Sequence, residues 1–165
     1  MSSLRTTAGR ALATAAVAAV VLGTTGTGVA SAEALPECGA ERLRARVDEV
    51  PWVPEPGVRL FAFGVGRTPG PACSIVGGEL RDVRFHAADG SVLDVPLTSS
   101  AQPPHEVIEQ DPAQAFLSAF DTGTGPYPAA TVSFTMPALD ARLTAAWPSA
   151  LHGPVRLGAL RGQVG

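Results

Sequence analysis

Leu80-Arg81-Asp82-Val83-Arg84-Phe85-His86-Ala87-Ala88-Asp89-Gly90-Ser91-Val92-Leu93-Asp94-Val95-Pro96-Leu97 is the clearest structural element in the sequence. Extended runs flank Asp89-Gly90, a dipeptide favoured in tight hairpins because both turn positions can need positive φ. Strands are therefore predicted over residues 80–87 and 92–97. Val83, Phe85 and Ala87 share one face of the first, and Leu93, Val95 and Leu97 one face of the second, so both sets point toward a common core.

The same pattern recurs outward from the hairpin. Leu43, Ala45, Val47 and Val50 alternate with polar neighbours until Pro51, Pro54, Pro56 and Gly57 end the run, because proline lacks the N–H that a central ladder requires. Residues 58–65 place Arg59, Phe61, Phe63 and Val65 on one face and Val58, Leu60 and Ala62 on the other. With both faces mostly apolar, this strand is expected inside a sandwich. Residues 67–71 form a turn by their chemistry, and 73–76 return as a short apolar segment before Gly77-Gly78.

Pro96, Pro103 and Pro104 bracket a polar loop over residues 98–102, and Val107-Ile108 opens another short strand. Residues 113–120 fit two periods. Phe116 and Phe120 are spaced for a helix face, yet Gln114, Phe116, Ser118 and Phe120 also alternate, and helical spacing over so short a run weighs little, so a strand is predicted. Residues 121–128 read as a Gly/Pro loop, and 131–136, 142–147 and 155–160 as the remaining strands. Seven or eight short strands between Gly/Pro loops, without a convincing helix, predict an all-β antiparallel β-sandwich.

Upstream of this domain, Arg5 and Arg10 precede an uncharged run over residues 11–22. A bilayer span needs about 18 to 20 apolar residues, so the run suits a signal-peptide core and not a stable membrane helix. Ala30-Ser31-Ala32 then supplies an A-x-A cleavage site before Glu33, with a second possible cut after Ala34. Residues 1–32 are thus expected to be a secretory signal peptide and 33–165 a single domain, secreted or held in the cell envelope with no stable membrane span. Glu37, immediately before Cys38, does not fit the site of a lipidated cysteine. In an oxidising setting the only two cysteines, Cys38 and Cys73, are expected to form a disulfide, with free thiols the alternative.

Composition narrows the partners. The formal net charge is −3, every basic residue is Arg, and Lys and Asn are absent, which reads as GC-rich coding and not as phosphate recognition. The tightest basic group, Arg42, Arg44 and Arg46, alternates with Leu43, Ala45 and Val47 as the wet face of a strand would. Nucleic-acid binding needs a basic patch, so no such partner is expected.

Taken together, Cys38 with Leu43, the aromatic strand 59–65, Cys73-Ser74-Ile75-Val76-Gly77-Gly78, Val83 to Phe85 with Ala88-Asp89-Gly90, and the later strands 113–120 and 132–137 resemble a family of exported actinobacterial proteins, the domain of unknown function 4232. The resemblance spans residues 36–161. It implies an immunoglobulin-like sandwich with Cys38 joined to Cys73, and it implies no activity. Gly66 stands where many members have asparagine, and the second cysteine pair of many members is missing.

The sequence holds no recognisable catalytic constellation. His86, His105 and His152 have no second His or Cys at metal-ligand spacing, so no metal or other cofactor is expected. His86 with Asp82 or Asp94 imitates part of a triad, but no serine sits in a G-x-S-x-G elbow. Gly77-Gly78 and residues 123–125 lack the context of a phosphate cradle, and Glu106 with Glu109 reads as solvated charge. Trp52, Tyr127 and Trp147 would make a sugar or peptide platform if exposed, although Trp147 is expected in the core. The expectation is a monomeric, non-enzymatic exported module for an envelope or extracellular protein or glycan, its surface carried by loops 98–106 and 121–128. A protease inhibitor presenting one of those loops, and a small hydrolase built on His86, are the rival readings.

Overall fold

The computed structural model describes residues 34–51, 55–100, 107–108, 111–136, 138–139 and 141–162. Eleven strands run through them: β1 (Leu43–Glu49), β2 (Val58–Arg67), β3 (Ile75–Val76), β4 (Arg81–His86), β5 (Val92–Leu93), β6 (Leu97–Ser99), β7 (Val107–Ile108), β8 (Ala113–Tyr127), β9 (Thr131–Thr135), β10 (Arg142–Ala146) and β11 (Leu151–Leu157). The one helical element among them is a single 3-10 turn, Ala40–Arg42. No helix among the described residues is long and apolar enough to cross a membrane.

The strands form a five-stranded sheet ordered β1-β2-β8-β11-β6, a four-stranded sheet ordered β10-β9-β4-β5, and a small β3-β7 pair. The all-β expectation holds, but the strand number rises from seven or eight to eleven. Part of the increase is local. The predicted strand 92–97 divides into β5 and β6, and β6 joins β11 in parallel through Val155↔Leu97, so the pairing is not wholly antiparallel.

In the hairpin that anchors the reading, Phe85 faces Leu93 and His86 faces Val92. The Gly90 N–H donates to the Ala87 carbonyl at 3.0 Å and the Ala87 N–H to the Ser91 carbonyl at 2.9 Å. Gly90 alone of the two turn residues has positive φ, +84°, so this is a three-residue turn closed by a left-handed glycine and not a two-residue one. Asp89 Oδ1 accepts from the Ser91 N–H at 2.9 Å and the Ser91 hydroxyl at 2.6 Å. The Ser91 hydroxyl, with its backbone N–H, holds the Asp89 carboxyl below its ordinary range.

The two larger sheets meet through aromatic side chains that the period of two sends inward. Phe63 of β2 stands edge-on to Phe134 of β9 at 5.9 Å, and Trp147, just past β10, lies 4.5 Å from Phe61 and 5.0 Å from Phe85. Beside β2 in the same sheet, β8 turns in Ala113, Ala115, Leu117 and Ala119, and the three alanines leave room for the rings.

Two segments depart from expectation. Residues 121–127 continue β8 as a strand paired with β11 through Tyr127↔Leu151 and Thr124↔Gly153, with register shifts on either side. Their Gly and Pro content signals bulges here and not a loop. A Cβ on Gly123 would stand 1.8 Å from the Gly153 carbonyl oxygen, so only glycine allows the approach, and Gly125 adopts φ +121°. The other is the segment ahead of β1, for which no strand contact was predicted. Cys38 is buried and disulfide-bonded to Cys73, and Glu37 bridges Ser74 in parallel, with Cys38 N–H donating to the Ser74 carbonyl at 2.9 Å.

One end of the core is closed by charge. Arg59 donates to Glu49 Oε1 through Nε at 2.9 Å, to the Ala150 carbonyl at 2.6 Å and to Ser149 Oγ at 2.6 Å, while Ser149 Oγ donates to Glu49 Oε2 at 2.8 Å. Burial pushes the Glu49 carboxyl up, but the Arg59 and Ser149 hydrogen bonds outweigh it and hold it below 4.5. A depressed folded value means stability that is present above the unfolded value and lost as pH falls through the folded one. We expect an NMR titration to place Glu49 below the ordinary glutamate range and Arg59→Ala to move it up. An unmoved midpoint in Arg59→Ala would refute this assignment.

Candidate functional site

The outer face of the five-stranded sheet carries the features that loops were expected to carry. In β8 the alternation that buries Ala115 and Leu117 directs Gln114, Phe116 and Ser118 outward, and Phe116 remains 46% exposed. Register then assembles its surroundings: Phe116 lies beside Ala62, and Ser118 lies between Leu60 of β2 and Arg156 of β11, which in turn faces Thr98 of β6. Leu60, Thr98, Ser100, Phe116, Ser118 and Arg156 line an open groove of about 500 Å³. Arg156 makes no ion pair among the described residues, so its guanidinium is available to an acidic group.

A second trough of about 290 Å³ lies on the same sheet toward β1, floored by Gly64 and Gly66 and walled by Arg44, Arg46, Arg67 and Pro112. Arg67 is committed to structure, with NH1 donating to the Cys73 carbonyl at 2.5 Å and Nε 3.5 Å from Asp111. Arg42 is likewise occupied, donating to the Thr68 and Pro71 carbonyls at 3.0 Å each. Arg42, in the 3-10 turn ahead of β1, and Arg67, at the end of β2, thus brace the 67–73 turn.

His86 meets neither Asp82 nor Asp94 in any hydrogen bond among the described residues. Its Nε2 lies 2.8 Å from Ser133 Oγ, and its Nδ1 3.4 Å from the Gly90 carbonyl. A carbonyl only accepts, so the contact to Gly90 suits a proton on Nδ1, which leaves Nε2 to face the Ser133 hydroxyl. Arg142 NH2 donates to the same Oγ at 2.8 Å. Ser133 is 3% exposed, so this serine-histidine contact is closed to a substrate. Sequence reading missed Ser133 because its partners are neighbours only through the pairing of β4, β9 and β10.

The remaining candidates separate. Trp147 is buried as expected, and Tyr127 is half-buried with its hydroxyl donating to Thr124 Oγ1 at 3.2 Å. Trp52, His105, Glu106, Glu109 and the cleavage residues Ala30, Ala32 and Glu33 lie outside the described residues. Among the described residues, His152 keeps a buried Nδ1 without a hydrogen-bond partner. Among the described residues no group of three His, Cys, Asp or Glu side chains is placed to hold a metal ion. The signal that would have found Phe116 was present in the sequence: its strand partners Gln114 and Ser118 are polar, which marks that face as the wet one.

Comparison with known proteins finds no matching family model, no similar curated protein and no similar solved structure.

Proposed function

We propose that this is an exported, non-enzymatic binding module, an immunoglobulin-like sandwich of the kind that the domain of unknown function 4232 resemblance implies, with a glycan of the cell envelope or medium as its ligand. The observation that carries this reading is the exposed Phe116 ring in a groove edged by the hydroxyls of Thr98, Ser100 and Ser118 and by Arg156. An aromatic face packs against the C–H surface of a sugar, hydroxyls match its polar edge, and a few polar groups around an apolar floor give orientation. Export rests on the signal-peptide pattern of residues 1–32, and the Cys38–Cys73 disulfide is in keeping with an oxidising compartment. The inhibitor reading is less well supported, because residues 121–127 pair with β11 along one of the two loops it would use.

The test is binding of the purified protein to envelope polysaccharides and to neutral and acidic oligosaccharides, followed by calorimetry. Phe116→Ala is expected to weaken binding about tenfold, roughly 1.4 kcal/mol, and Arg156→Ala to weaken acidic sugars selectively. Equal affinity of Phe116→Ala and the parent would overturn the groove as the site. Turnover of a substrate would overturn the non-enzymatic reading.

A further inference from the structure

The opposite exterior face, on the four-stranded sheet, holds a charge arrangement that strand alternation alone would not produce. Arg81 and Arg84 are three apart, so a regular strand would send them to opposite faces. In β4, however, Arg81 pairs with Thr135 and Arg84 with Ser133, three residues of β4 against two of β9. The extra residue puts both arginines on the outer face. At this bulge Asp82 has φ +49°, the one non-glycine residue with positive φ among those described. Bulges of this kind re-aim side chains, and among non-glycine residues Asp is one of the least penalised in the left-handed region.

Across β9 the other neighbour of Thr135 is Arg142, and that of Ser133 is Thr144. Adjacent strands lie about 4.8 Å apart, so Arg81 and Arg142 flank Thr135 within roughly 10 Å of each other and Arg84 stands one pleat further on. Beneath them Ser133 and Thr135 are buried hydroxyls. Ser133 fixes Arg142 through the chain Arg142, Ser133, His86, Gly90. Arg81 reaches only the Met136 carbonyl, at 3.4 Å. No carboxylate pairs with Arg81, Arg84 or Arg142 among the described residues, in a chain whose formal net charge is −3.

We infer that this face is an oxyanion site, at which Arg81, Arg84 and Arg142 bind a tetrahedral phosphate or sulfate group above Ser133 and Thr135. Guanidinium N–H donors match such oxygens in pairs, and holding one arginine in advance reduces the ordering cost of binding. Ser133 is a positioning residue. Asp82 is the one acidic neighbour on the bulge, and its charge opposes the ligand.

The test titrates the protein with inorganic phosphate, inorganic sulfate and a sulfated oligosaccharide, at ionic strength held constant with sodium chloride, following backbone amide shifts of β4, β9 and β10 by NMR. Saturable shifts with phosphate or sulfate but not chloride are expected. Arg84→Ala and Arg142→Ala should each weaken binding about tenfold. Ser133→Ala should weaken it several-fold while leaving the fold intact by circular dichroism, and Asp82→Gly, which keeps the left-handed backbone, should tighten it two- to threefold. Tighter binding of the sulfated oligosaccharide assigns the anion to a polymer and equal affinity to the free ion, and either supports the site. Phe116→Ala, on the other face, should leave these affinities unchanged, so failure of the glycan groove and failure of this site are separable. Shifts reproduced by chloride, or an equal loss from Arg156→Ala, would overturn it.

Discussion

Trp147→Ala is expected to cost about 3–5 kcal/mol, the range for removing a large buried aromatic. Domains of this size are held by only about 5–15 kcal/mol, so a large part of the stability rests on this ring. Trp147 is 6% exposed and lies within 4.5 Å of Phe61, 5.0 Å of Phe85 and 6.1 Å of Phe63, measured between ring centroids, so it touches residues of both larger sheets. Its backbone N–H also donates to the Ala130 carbonyl at 2.8 Å, which the substitution retains. Trp147→Phe separates ring packing from the polar edge. Because Nε1 is buried without a hydrogen-bond partner among the described residues, phenylalanine removes a donor that gains nothing there, and its cost should be well under half that of alanine. Denaturant unfolding followed at constant m-value measures both. Equal losses for the two variants would show that the inter-sheet packing does not depend on an aromatic ring here.

Loss of the Cys38–Cys73 disulfide is the second large effect. The bond joins residues 35 apart in sequence, and the chain-entropy relation gives about 4 kcal/mol for a loop of that length. The loop contains all of β1 and β2, the strands that supply Leu43, Phe61, Phe63 and Val65 to the core. Both cysteines are buried, so a Cys38→Ala, Cys73→Ala double variant is preferable to serine, which would bury two hydroxyls. We expect the midpoint of unfolding to fall by the equivalent of this energy in the double variant, and reductant to lower the parent toward it but not the variant. A double variant as stable as the parent would mean that the Glu37–Ser74 bridge and the Ser74 hydrogen bonds already close the loop.

Much of the local structure was legible. The hairpin around Asp89-Gly90, the inward set Phe61, Phe63 and Val65, and the strand over 113–120 follow from period-two alternation, a property of the chain within a few residues. The errors fall where glycine and proline serve bulges. Gly123, Gly125 and Pro126 look like a loop in sequence, yet the close approach of Gly153 turns them into paired strand. The candidate sites were less legible. Polar Gln114 and Ser118 mark the face of Phe116 as the wet one, but the groove around it needs Thr98, Ser100 and Arg156 from distant strands, and the hydrogen-bond partner of His86 is a serine 47 residues away.

By itself the sequence determined the all-β character, the faces of its clearest strands and the only cysteine pair available, because side-chain direction along a strand and the chemistry of turns are local. It also carries, over residues 1–32, the pattern on which the proposal of export rests. The tertiary structure decided which strands are neighbours, and with that the parallel β6-β11 contact, the groove around Phe116, and the bulge at Asp82 that brings Arg81 to the face of Arg84 and Arg142. The reason is that strand pairing and its irregularities are fixed by backbone hydrogen bonds between segments far apart in the chain, which one-dimensional alternation does not encode.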